Sequence, residues 1–207
     1  MTVGVVAEPA RDGSGLTYRG TCSTHLSETP EGGTVFCFVR KPTIPFHPPG
    51  NPHVPMIMVG AGTGMAPFRG FLQERAAMKE QGVPVAQSLV ILGCRDPEVD
   101  QLYADELAAW EQAGVARLRP AFSRLPDYPH RYVQHALVAA GDEVWELMQQ
   151  DAVITVCGNA STMAPGVRSA LVDVFRSRTG AGRADGEAWL AGLRAADRYL
   201  EDIWGES

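Results

Sequence analysis

The 207-residue sequence contains no apolar run approaching the roughly 18 residues that a membrane-spanning helix needs, and Met1 is not followed by a basic and then apolar signal region. No membrane segment is predicted, and the chain reads as cytoplasmic. Positive charge is also scarce. Eighteen Lys and Arg stand against 24 Asp and Glu, a net charge of −6 that excludes a general nucleic-acid binder while leaving room for a local basic pocket around a small phosphorylated ligand. The four cysteines, Cys22, Cys37, Cys94 and Cys157, show neither CxxC spacing nor a paired histidine motif, which excludes a zinc site or a disulfide framework and fits free thiols. No G-x-S-x-G elbow occurs, and none of His25, His47, His53 and His135 sits in a nucleophile–base arrangement, so a hydrolase is excluded as well. Internal repeats and low-complexity segments are missing.

What is present divides into two unequal parts on either side of the Pro- and His-rich stretch KPTIPFHPPGNPHVP, Lys41 to Pro55. Before it, TVGVVA, LTYRG and TVFCFV are short β-type runs joined by turn signals at Asp12–Gly15 and Glu31–Gly33, a piece of antiparallel sheet too small to close a barrel. After it, the apolar runs MIMVG, SLVILG, RLRPAFS and AVITVCG alternate with helical patterns at 66–81, 99–113, 131–139 with 142–149, and 161–178. A last helix is expected over 185–200, leading into the tail EDIWGES. Alternation of this kind predicts an α/β fold, a Rossmann-like parallel sheet with helices on both faces. The expected domains are 1–50 and 51–207.

The first parallel strand runs into MVGAGTGMAPF, where Gly60, Gly62 and Gly64 strip side chains from a tight turn and Thr63 adds a hydroxyl. Pro67 suits a first helical turn, and a helix N-terminus favours phosphate through its free N–H groups and partial positive charge. The spacing is G-x-G-x-G rather than G-x-G-x-x-G, so the loop taken alone fits either a nucleotide site or a plain strand-to-helix turn.

The longer segment PMIMVGAGTGMAPFRGFLQER resembles the start of the NADPH domain of the ferredoxin-NADP reductase superfamily. Four further stretches follow in the superfamily's order: LGCRDPEVDQLYADEL, AFSRLP with YVQHAL, VCGNASTMAPGV and RYLEDIW. Together they cover nearly everything from Pro55 to Trp204. The resemblance is strongest to diflavin reductases of the cytochrome P450 reductase type, in particular to the reductase end of bacterial proteins that fuse a P450 to its own reductase. It implies that residues 2–39 are the last strands of an FAD-binding barrel, with Gly20, Thr21, Cys22 and Ser23 meeting the flavin pyrophosphate at a helix start. The family's Arg-x-Tyr-Ser flavin motif and its FMN domain lie upstream of the matched region. The sequence therefore reads either as a piece of a longer protein or as a separate product with an incomplete flavin site.

The resemblance also implies roles for single residues. Ser123 and Arg124 hold the adenosine 2′-phosphate, Arg124 through the two parallel hydrogen bonds a guanidinium offers, and so select NADPH over NADH. Tyr132 and Gln134 serve the adenine and its phosphate. Where the family has lysine two residues before that tyrosine, this chain has His130, and Arg131 beside it is the candidate to take over its charge. Arg95, with Gly62, Thr63 and Gly64, faces the phosphates on the nicotinamide side, while Cys94 reads as core packing. Cys157 lies beside the nicotinamide carbon that gives up the hydride, in a positioning role, with Asp202 as its acidic companion. Asn159 replaces the family's acidic residue near the ribose. Met163 either lines the adenine pocket or packs as helix core. Trp204 stacks on the flavin and moves aside for nicotinamide.

The implied activity is hydride transfer from NADPH to FAD, with electrons passing on to FMN and to a haem acceptor such as a P450. The implied partners are the FAD and FMN domains of a parent or partner protein. The alternative is a nucleotide-binding fragment that holds NADP(H) without reductase activity of its own.

Overall fold

In this computed structural model, residues 2–10, 12–38 and 44–205 are described. The Pro- and His-rich stretch starts, and the TVFCFV run ends, outside them, as does the tail beyond Gly205. The chain forms two compact units, Met1–Thr43 and Ile44–Ser207.

In the first unit, β1 (Ala7–Pro9) pairs antiparallel with β2 (Thr17–Arg19), and helix α1 spans Thr21–Glu28. The intervening turn is shaped by Asp12, whose Oδ1 accepts from Ser14 N–H at 3.0 Å, with Gly13 at φ +72°. This turn and the LTYRG strand match the sequence expectation, but the other two runs do not. Pairing in the TVGVVA segment begins only at Ala7, and residues 34–38 of TVFCFV form no strand. A strand needs a partner for its backbone and a face to bury. Here β1 and β2 are exposed throughout and share three residue pairs.

The second unit is built on five parallel strands. They are β3 (Met56–Ala61), β4 (Ser88–Cys94), β5 (Ala116–Phe122), β6 (Val153–Asn159) and β7 (Tyr199–Trp204), in the spatial order β5-β4-β3-β6-β7. The first four coincide with the expected runs: β3, β4 and β6 because a parallel strand buried on both faces needs apolar residues at successive positions, while β5, at the edge, carries half-buried Arg117 and Arg119, which pair with Glu143. In β3, Met56 and Met58 pack on one face with Phe68 and Leu72 of α2 (Met65–Glu80) and Leu107 of α3 (Ala104–Gln112). Ile57 and Val59 pack on the other face. The helices there are α4 (Val133–Ala139), α5 (Gly141–Met148), α6 (Met163–Thr179) and α7 (Arg183–Ala195).

Two expected elements are corrected. The last helix stops at Ala195, five residues short of 200, because Asp197 turns left-handed (φ +53°) and Arg198 N–H bonds back to Leu193 O at 2.8 Å. The first part of the expected tail EDIWGES is then strand: Glu201–Trp204 belong to β7, which pairs parallel to β6, from Ile154↔Tyr199 to Asn159↔Trp204. The helix expected from Val99 begins only at Ala104. The residues before it form a loop held by Asp100, and Tyr103 precedes the helix at φ +58°.

Polar atoms close the ends and one edge of the sheet. Arg75, only 2% exposed, donates to Val54 O (2.7 Å) and Ala86 O (2.8 Å) just before β3 and β4, and Lys79 Nζ donates to Ala113 O and Gly114 O before β5. Along the outer edge of β5, Leu118 N–H donates to Glu111 Oε1 at 2.8 Å, Pro120 has no N–H, and Phe122 N–H donates to His130 O at 2.9 Å. From Leu118 to Phe122 that edge thus offers no free N–H donor to an incoming strand.

Candidate functional site

The chain leaves β3 to build β4 and β5 on one side and then returns to add β6 and β7 on the other. Strand order therefore reverses between β3 and β6, and in open α/β sheets the crevice at the carboxyl ends of the strands at such a point is where ligands bind. A cleft of about 730 Å³ lies there.

Its floor is the loop after β3, where two glycines meet different demands. Gly62 has φ +54°, a left-handed conformation that costs a side-chain-bearing residue, and a Cβ built on it would meet nothing within 4 Å. Gly64 is buried, and a Cβ there would stand 2.1 Å from the carbonyl oxygen of Cys157. The close backbone approach at Gly64 is thus made by β6 of the same chain. The loop tightens through a 3₁₀ turn, Gly62–Gly64, into α2, with Pro67 third in the helix. Gly62 and Thr63 line the cleft.

The loop after β4 contributes Arg95. Its Nε donates to Asp100 Oδ2 at 2.7 Å, and Asp100 Oδ1 also accepts the backbone N–H groups of Arg95 (3.0 Å) and Asp96 (2.8 Å). Desolvation pushes the Asp100 carboxyl up, but the bonds from Arg95 and from these N–H groups outweigh it and hold the pKa below the ordinary value. Both residues face the cleft. Asp100 was missed by the sequence analysis, although an acid five residues from a candidate phosphate-binding arginine is a visible signal. Cys94, expected in the core, is half-buried in the cleft wall at the end of β4, with its thiol pushed up to about 11 by desolvation and by Asp100 and Asp96.

At the β5 end, Ser123 N–H donates to Cys94 O (3.0 Å) and Arg124 N–H to Arg95 O (2.9 Å), carrying the β4–β5 pairing past the strand ends. Ser123 lines the cleft, and the Arg124 side chain is exposed beside it. Arg131 lies over the Tyr132 ring at 5.4 Å, and both line the cleft with Gln134. His130 contributes its carbonyl to Phe122 and packs its ring edge-on to Tyr128 at 6.0 Å. Among the described residues, Arg124 and Arg131 have no hydrogen-bond or ion-pair acceptor for the guanidinium. Every other described arginine has a carboxylate or a backbone carbonyl.

At the β6–β7 end, Asn159 Oδ1 accepts from Ser161 N–H (3.0 Å), Ser161 O–H (2.9 Å), Thr162 N–H (2.8 Å) and Thr162 O–H (2.8 Å). The two backbone donors fix which amide atom is the oxygen and leave the NH₂ as the group available to a ligand. Met163, first residue of α6, is 7% exposed and serves both as core and as cleft wall. Cys157 is 2% exposed, packs on the α2 face, and lies between Gly60 and Asp202 in register. Burial, and then the charge of Asp202, push its thiol up to about 12. Asp202 is exposed, and Trp204, 45% exposed, lines the cleft opposite the β5 end. The remaining candidates, Gly20–Ser23, belong to the other unit. There Gly20 caps α1, and Ser23 Oγ accepts from Val6 N–H at 3.1 Å.

The family model for the oxidoreductase NAD-binding domain matches residues 58–169. The chain is 41% identical over 204 residues to a Bacillus subtilis protein named bifunctional cytochrome P450/NADPH–P450 reductase 2, covering 99% of this chain and 19% of that protein. It is 41% identical over 209 residues to a self-sufficient cytochrome P450 monooxygenase of Penicillium freii, covering 99% of this chain and 18% of that protein. To an NADPH–cytochrome P450 reductase of Drosophila melanogaster it is 36% identical over 197 residues, covering 92% of this chain and 28% of that protein. The chain thus spans between 18% and 28% of these relatives' lengths. Among the described residues no helix is long and apolar enough to cross a membrane.

Proposed function

The chain belongs to the oxidoreductase NAD-binding domain family, and from that premise we propose that it is the NADPH-binding module of an FAD-dependent reductase of the cytochrome P450 reductase type. In this reading residues 51–207 are the NADP(H) domain and residues 1–50 the end of an FAD-binding domain. The observation that carries it is the pair Arg124 and Arg131. In a chain that otherwise satisfies its described arginines internally, one of the two left over, Arg131, lines the cleft at the sheet's switch point, and the other, Arg124, is exposed directly after Ser123, which lines it. A 2′-phosphate is the group that separates NADPH from NADH, and guanidinium is the side chain suited to hold it.

The other residues suit the rest of a dinucleotide. Ser123 joins Arg124 on the 2′-phosphate, and Tyr132, Gln134 and Met163 flank the adenine. Gly62, Thr63 and the N-terminus of α2 take the pyrophosphate, with Gly64 holding the loop against β6. Arg95 reaches the phosphate by exchanging Asp100 for it. Asn159 offers its NH₂ to the ribose. NADPH bound in this way supplies a hydride, for which FAD, then FMN and a haem acceptor such as a P450, are the partners in the longer protein. Beside the nicotinamide, Cys157 acts as a protonated thiol, which positions and polarises and does not attack. Trp204 guards the place the nicotinamide takes, with Asp202 next to Cys157.

A second reading, a module that binds NADP(H) without reductase activity, is favoured by one observation: β1, β2 and α1, which carry Gly20–Ser23, have no buried residue. Flavin content after gel filtration separates the two, because stoichiometric yellow protein excludes the second reading. Nucleotide binding itself is tested by calorimetric titration with NADP⁺ and NAD⁺. NADP⁺ is expected to bind at least tenfold more tightly, a difference of about 1.4 kcal/mol, and Arg124→Ala is expected to remove most of that gap while leaving NAD⁺ unchanged. An equal loss for both cofactors would sink the assignment.

A further inference from the structure

β7 is an edge strand, and its burial falls away along its length. Tyr199 and Leu200 are buried, Glu201 is half-buried, and Asp202 and Trp204 are exposed. Packing therefore holds the start of the strand and does little for its end, where Trp204 meets the cleft. The backbone of β7 stays paired to β6 as far as Asn159↔Trp204, with Ala160 N–H donating to Trp204 O at 2.8 Å, and the last side-chain attachment before that end is Glu201, whose side chain is 15% exposed. Its carboxylate accepts from Arg168 Nη1 of α6 at 2.9 and 3.1 Å, from Arg194 Nη2 of α7 at 3.2 Å, and from the phenol of Tyr199 at 2.5 Å. Arg194 also lies over the Tyr199 ring at 5.0 Å. Burial, then the hydrogen bond to Glu201, push the Tyr199 phenol above its ordinary value, so it remains a donor. One carboxylate thus joins two helices to the strand three residues before Trp204.

We propose that Glu201 is a positioning residue. By fastening β7 to Arg168 and Arg194, it fixes Trp204 in the β7 end of the cleft and so sets how readily that end admits the far part of a dinucleotide. The inference rests on the nucleotide reading above. The cleft's two ends allow it to be tested separately. Arg124 and Arg131 stand at the β5 end and Trp204 at the β7 end, so a ligand carrying only the 2′-phosphate half leaves Trp204 alone while the full dinucleotide displaces it.

The experiment is calorimetric titration of the full chain and of Glu201→Gln with adenosine 2′,5′-bisphosphate and with NADP⁺. Acrylamide quenching of Trp204 is read alongside as the difference between each protein and its Trp204→Phe counterpart. Glutamine keeps the size of the side chain but removes the charge that two guanidiniums share. Glu201→Gln is expected to bind NADP⁺ at least threefold more tightly than the parent, with the bisphosphate unchanged and Trp204 quenched more readily. General loosening of the fold changes both ligands together, so an equal change in both overturns the inference, as does no change in either. Weaker NADP⁺ binding with the bisphosphate unchanged also overturns it, because Trp204 is then a support and not an obstruction. If Glu201→Gln does not fold, Arg194→Gln removes one partly exposed arm of the clamp and is read in the same way. A parent chain that binds neither ligand refutes the nucleotide reading, and the clamp's role with it, whereas bisphosphate binding with an unmoved ratio refutes the clamp alone.

Discussion

Replacing Gly64 with alanine puts a methyl group 2.1 Å from the Cys157 carbonyl oxygen and 2.8 Å from its carbon. Both are backbone atoms in the middle of the sheet, so no side chain can rotate out of the way. Restoring ordinary contact requires the loop and β6 to separate by about 1 Å, and overpacking of this kind costs about 1–3 kcal/mol and sometimes more. The upper part of that range is expected because neither side yields. Gly62, two residues earlier, provides the internal comparison. Its Cβ would meet nothing within 4 Å, so Gly62→Ala carries only the left-handed backbone penalty, about 1–2 kcal/mol. For a chain of this size about 1 kcal/mol shifts Tm by roughly 2–4 °C, so Gly64→Ala is expected to melt roughly 6–12 °C below the parent and Gly62→Ala roughly 2–8 °C below. Thermal unfolding followed by circular dichroism on both variants decides the order. Gly64→Ala at parent stability, or above Gly62→Ala, would refute the view that the loop is pressed against β6. A shift of about 1 Å in a binding loop also costs function, so NADP⁺ affinity is expected to fall more in Gly64→Ala than its stability alone accounts for.

Arg75→Met leaves the carbonyls of Val54 and Ala86 without their donor at the end of the sheet away from the cleft, and a loss of about 2–4 kcal/mol in urea unfolding is expected with NADP⁺ affinity unchanged. Asn159→Ala removes the acceptor of four hydrogen bonds and is expected to cost about 1–2 kcal/mol and to weaken NADP⁺ binding, whereas Asn159→Asp keeps the acceptor and the stability. The raised thiols of Cys94 and Cys157 predict that iodoacetamide at pH 8 labels Cys22 and Cys37 first, as read by mass spectrometry. For a thiol raised on folding, the stability contribution is complete below the unfolded pKa of 9.0 and is lost as pH rises towards about 11 and 12, so alkaline unfolding is expected to steepen in that window.

The parts of the fold legible in the sequence were those whose signal is local. MIMVG and AVITVCG announce themselves because strands covered on both faces have no polar position to dilute the pattern. RYLEDIW gave no such signal. It holds three charged residues in seven, and it becomes a strand by pairing with β6, while Arg168 of α6, 33 residues away, and Arg194 of α7 answer its half-buried Glu201. The true start of α3 was hidden for a similar reason, because Asp100 binds backward to Arg95 instead of joining a helix. In the cleft, residue types pointed to phosphate chemistry, and the resemblance carried that to named positions. What no motif could reveal is which arginines would be left without a partner once the others had found theirs.

The edge of β5, without a free N–H donor from Leu118 to Phe122, limits how copies of this unit can associate. Growth of a sheet into a filament needs two receptive edges, so that each added copy offers a fresh one. With Glu111 and His130 occupying outward N–H groups of β5 and Pro120 lacking one, the other edge of this five-stranded sheet, β7, is the one left for strand addition. Two copies meeting there consume each other's open edge, and the assembly ends as a pair rather than a fibre.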